Sequence, residues 1–106
     1  MNTQTEGADC QLTPEMQLAT LLCIQSLFNE GFKATSIVGK LAEKVVNSAE
    51  REGWEKVMAN LIQESSLNNS LIGTGLFTTS IERILAIIER PDRAIEVAID
   101  LLKAIR

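Results

Sequence analysis

Apolar residues recur at intervals of three and four positions along most of this chain, and glycine or proline residues interrupt the pattern. Such intervals place the apolar side chains on one face of an α-helix. The interruptions fall at Gly31, Gly53 and Pro91, which are residue types that end helices or begin them. The pattern therefore predicts an all-α protein, a compact bundle of about five helices.

The chain has 106 residues, which is enough for one domain. Residues 1–11 are polar and aperiodic, and a segment that buries little cannot offset the entropy of being ordered. We therefore expect a flexible polar N-terminal tail over residues 1–11 and a single helical domain over residues 12–106.

The first helix has a clear start and a clear stop. Thr13 is a good N-cap, Pro14 is tolerated at the first helical position, and Gly31 can adopt the left-handed conformation that ends a helix. These signals predict a helix from Pro14 to about Glu30. Its apolar residues lie on every side of the helical wheel, so more than one face must be covered.

Two stripes of apolar residues follow, over residues 35–52 and 54–62. On one continuous helix the two stripes would point in nearly opposite directions. A break at Gly53 lets both face a single core, so we predict two helices separated there.

The second half of the chain begins with a polar segment. Residues 65–75 are rich in Ser, Asn and Gly, which predicts a loop with one short turn. Thr79 and Glu82 have the spacing of a capping box, which predicts the start of the fourth helix at that point. Pro91 ends this helix and begins the fifth.

The composition argues against an enzyme. The chain has no histidine and no tyrosine, so it lacks the imidazole base, the imidazole metal ligand and the phenolic acid. The positions of Cys10, in a polar segment, and Cys23, in an apolar helical run, are not typical of a disulfide framework, and no neighbour of Cys23 would activate its thiol. We therefore expect a non-enzymatic protein with reduced thiols and with no cofactor or metal.

The chain is acidic, with a net charge of -4, and residues 1–32 contain no Lys or Arg. Without a basic cluster it lacks the counterion release that drives nucleic-acid binding, so a protein partner is favoured over nucleic acid. No apolar run is long enough to span a bilayer, and the N-terminus lacks the features of a signal peptide. We therefore expect a cytoplasmic protein that does not associate with membranes.

The segment from Gly75 to Leu85 resembles the second half of a helix-turn-helix, with a glycine at the turn and an isoleucine in the middle of the following helix. A DNA-binding regulator is therefore the alternative function. The resemblance implies that Phe77 lies near a major groove and that the DNA contacts come from Thr78, Thr79, Ser80 and Arg83. Residues 57–82 contain no Lys or Arg that could hold the phosphates, which weighs against it.

Charged residues of both signs recur along the fifth helix. Glu96 and Asp100 are one turn apart, and Arg93 and Lys103 flank them at a spacing of three. This pattern is typical of a solvated charge ladder rather than of a catalytic pair.

The first and fifth helices carry more apolar surface than one neighbour needs, which favours self-association around a two-fold axis. We therefore expect a homodimer. The expected function is that of a helical protein-interaction module, such as an inhibitor, an immunity-like or antitoxin-like protein, or an adaptor, whose protein partner the sequence does not identify. The residues expected at the interface are Leu18, Leu21, Phe28, Ile95, Ile99, Leu102 and Ile105.

Overall fold

The computed structural model describes residues 11–63 and 66–105, and these residues form helices joined by turns with no strand among them. The all-α prediction is therefore confirmed. Residues 1–10 of the predicted tail, including Cys10, lie outside the described residues. The helices are α1 (Pro14–Asn29), α2 (Ala34–Glu43), α3 (Ser48–Ile62), α4 (Leu67–Ser70), α5 (Thr79–Ile87) and α6 (Pro91–Ala104).

The helices enclose one core. Buried Leu, Ile, Val, Trp and Ala side chains from all of them form a single cluster. The radius of gyration is 12.9 Å, close to the ~13 Å of a compact domain of about a hundred residues. The division into a tail over residues 1–11 and a single domain over residues 12–106 stays a prediction.

Helix α1 begins and ends where the sequence predicts. The Met16 backbone N–H donates to Thr13 Oγ1 at 3.2 Å, and Pro14 occupies the first turn. Gly31 follows the helix with φ of +94°, a conformation that side-chain-bearing residues rarely adopt. None of the described helices, α1 included, is long and apolar enough to cross a bilayer.

The predicted helix break at Gly53 is wrong. The break lies between Glu43 and Ser48, where the Glu50 backbone N–H donates to Asn47 Oδ1 at 2.9 Å and so caps α3. Gly53 lies inside α3 and is buried. A Cβ atom there would stand 2.7 Å from Leu76 Cδ2, so glycine is needed for close packing rather than for a turn.

The predicted capping box at Thr79 is also wrong. The N-cap of α5 is Thr78, one residue earlier, and its side chain makes no cap hydrogen bond. The Glu82 carboxylate accepts from the Gly73 backbone N–H at 2.8 Å instead. Glu82 therefore stabilises the preceding loop at Gly73 instead of capping the N-terminus of α5.

Helix α4 is the short turn expected within residues 65–75. Its buried residue Asn68 forms hydrogen bonds with the C-terminal end of α5. Asn68 is 1% exposed. Its Nδ2 donates to the carbonyls of Leu85 and Ile88, both at 2.9 Å. These carbonyls lie in and just after the last turn of α5, where a helix leaves its acceptors without intrahelical partners.

Helices α1 and α6 pack side by side and run antiparallel. The start of α1 and the end of α6 line one cavity, whereas the end of α1 and the start of α6 line another. Helix α2 packs on α3, and α5 packs on α6. The two helices with the widest apolar faces are therefore each other's neighbours.

Buried Gln17 joins the start of α1 to the start of α5. Its Nε2 donates to the Leu12 carbonyl at 2.7 Å, and its Oε1 accepts from the Thr78 backbone N–H at 3.4 Å. The Leu12 backbone N–H donates to the Leu76 carbonyl at 2.9 Å. The chain around residue 12 is therefore fixed to residues 76–78.

We expect Gln17→Met to lower the free energy of unfolding by about 1–3 kcal/mol, because it leaves buried backbone groups without partners while keeping a similar shape. Chemical denaturation followed by circular dichroism measures the loss. Gln63→Met is the matched control, since Gln63 is exposed at the end of α3. Equal stability of the two variants would contradict this role for Gln17.

Candidate functional site

The solvent-facing side of α1 carries almost no charge. Glu15, at the first turn, is the only Asp, Glu, Lys or Arg residue of the helix. Met16 is 48% exposed and Leu22 is 39% exposed. We call the side of the helix formed by Met16, Ala19, Leu22, Cys23 and Ser26 the open face. Solvent-exposed helix surfaces are normally polar, so an uncharged one is typical of an interaction surface.

The open face continues into a groove between the start of α1 and the end of α6. Leu18 and Leu22 of α1 line it, together with Ile105 after the end of α6, which is 62% exposed. The groove has a volume of about 790 Å³. Glu15 and Lys103 also line the groove and carry opposite charges, and neither takes part in the ion pairs of the described residues.

A second, smaller cavity lies at the other end of the α1–α6 pair. We call this cavity, of about 200 Å³, the acidic pocket. Phe28 and Ile95 supply its apolar surface, and the remaining lining residues supply carboxylate and amide groups. These polar residues are Gln25, Asn29, Asp92 and Glu96.

The carboxylates of the acidic pocket are held by arginines of their own chain. Arg90 Nη2 donates to Asp92 Oδ2 at 2.8 Å, and Arg93 Nη1 donates to Glu96 Oε1 at 3.0 Å. The second pair confirms part of the predicted charge ladder. Desolvation opposes the charged form of Asp92, but the hydrogen bond and charge of Arg90 outweigh it, so the pKa of this carboxyl is lowered.

The residues expected at an interface are mostly enclosed within the chain. Five of them, Leu18, Leu21, Ile95, Ile99 and Leu102, are buried in the core. Helices α1 and α6 cover each other's apolar faces, which is why these side chains need no second chain. Phe28 is half-buried against the acidic pocket, and Ile105 is exposed beside the groove.

Sequence reasoning missed Met16 and Leu22. Both lie on the side of α1 opposite the buried Leu21 and Ile24. The signal that could have found them is the shortage of charge on that side, where only Glu15 is ionised.

The residues of the DNA-binding alternative do not lie in a helix-turn-helix. Residues 71–78 separate α4 from α5, whereas that motif joins its helices by about three or four residues. Phe77 is 2% exposed and belongs to the core rather than to a reading surface. Thr79, Ser80 and Arg83 are exposed, and Thr78 is half-buried.

Within residues 11–63 and 66–105, no group of three or more Cys, Asp or Glu residues is placed to hold a metal ion. Cys23 is a half-buried thiol that forms no disulfide. Comparisons with protein-family models, with curated proteins and with solved structures gave no match.

Proposed function

We propose that this protein is a non-enzymatic interaction module whose binding surface is the open face of α1 together with the adjoining groove, and that it forms a homodimer through this surface. The observation that supports the proposal is the uncharged stretch from Met16 to Leu22 that continues into the groove at Ile105. Covering these apolar side chains releases their hydration water, which favours association.

A second copy of the chain suits this surface. In a two-fold interface the same patch meets itself, so a mostly apolar patch can cover its own copy without leaving a charge unpaired. The groove adds one acid, Glu15, and one base, Lys103, so its lining has no net charge. A surface with one sign of charge would repel its copy.

Dimerisation would leave the other helices free for a further protein, as an inhibitor, an immunity-like protein or an adaptor requires. Such proteins act by occluding or joining others and need no reactive group of their own. We also propose a cytoplasmic location. Cys23 lies on the open face as a free thiol, and a reducing compartment such as the cytoplasm keeps thiols from forming disulfides.

We expect wild-type protein to have about twice the monomer mass of 11.6 kDa in sedimentation or light-scattering measurements at micromolar concentration. Leu22→Glu should weaken the dimer at least ~10-fold, because it places an unpaired charge inside the interface. Leu22 is 39% exposed, so the monomer tolerates the substitution and its helical circular dichroism should be unchanged.

Ile87→Glu is the matched control. Ile87 is 76% exposed at the end of α5, close in sequence to the start of α6, whereas the groove lies at the other end of α6, roughly 20 Å away. A wild-type mass of 11.6 kDa up to several hundred micromolar would contradict the proposal. Equal weakening by both variants would also contradict it.

A further inference from the structure

We draw no further inference here: the strongest candidate, the patch of exposed lysines formed by Lys33, Lys40 and Lys44 along α2, consists of surface side chains alone, and nothing in the described part of the structure shows which partner would cover it.

Discussion

Replacing Asn68 by aspartate is expected to lower the free energy of unfolding at pH 7 by about 4 kcal/mol, a large part of the stability of a small domain. The aspartate has nearly the shape of asparagine, but its carboxylate would face the carbonyls of Leu85 and Ile88, to which Asn68 now donates at 2.9 Å. The site is 1% exposed, so water cannot screen the repulsion. Burial and repulsion both raise the pKa of the new carboxyl in the folded state.

The loss of unfolding free energy in Asn68→Asp should increase as the pH rises. The unfolded chain titrates near pH 3.9, whereas the folded chain keeps the carboxyl protonated to higher pH. The stability deficit of Asn68→Asp relative to wild type should therefore be smallest below pH ~3.9 and should grow as the pH rises towards 7. A protonated carboxyl still donates one hydrogen bond, which keeps part of the contact.

Urea denaturation of both proteins at pH 3.5 and pH 7 measures this dependence. Asn69→Asp is the matched control, because Asn69 is the exposed neighbour in α4 and its substitution adds the same charge to the surface. The proposed role of Asn68 would be refuted by a deficit that is the same at both pH values, or by equal deficits in the two variants.

Gly53→Ala is expected to destabilise the wild-type protein by about 1–3 kcal/mol, although alanine is the better helix former. The added Cβ would stand 2.7 Å from Leu76 Cδ2 and 2.8 Å from Leu76 Cγ. Leu76 is fully buried and its carbonyl accepts from Leu12, so it has little room to move away. Overpacking therefore outweighs the gain in helix propensity.

The effect should change sign once Leu76 is shortened. Leu76→Ala alone should cost about 2–5 kcal/mol, because it leaves a cavity. In that background Gly53→Ala should be neutral or stabilising by up to ~1 kcal/mol, because the clash is gone and the helix propensity remains.

Gly39→Ala is the control for propensity alone, since Gly39 lies within α2 and a Cβ there would contact nothing within 4 Å. It should leave stability unchanged or raise it slightly. Thermal and denaturant unfolding of the four Gly53 and Leu76 proteins completes the double-mutant cycle. Additive effects of the two substitutions would contradict direct contact between these residues.

Local signals in the sequence were sufficient where a helix end depends on nearby residues. Thr13 and Pro14 mark the start of α1, and Pro91 marks the start of α6, as the structure confirms. The prediction at Gly53 was wrong because glycine is required there by the close approach of Leu76, a residue far along the chain. The local penalty for a helical glycine is only about 1 kcal/mol, so tertiary packing can override it.

The candidate site was predictable only in part. A helical wheel shows how much of a helix is apolar, but it does not show which neighbour covers each side. The antiparallel pairing of α1 with α6 is a long-range contact, so the burial of Leu21 and Leu102 within the chain could not be read from either helix alone. The lack of charge around Leu22 was visible in the sequence.

The hydrogen bonds that join Leu12 and Gln17 to residues 76–78 can form only late in translation. When α1 leaves the ribosome, residues 76–78, which form hydrogen bonds with the start of α1, have not yet been synthesised. Helix α6, which covers the apolar side of α1, is synthesised later still. Helix α2 can pack on nascent α1 early, but most of the native contacts of α1 form only when α6 has emerged. Over that interval the apolar side chains of α1 are exposed, which is the condition that makes a nascent chain prone to aggregate.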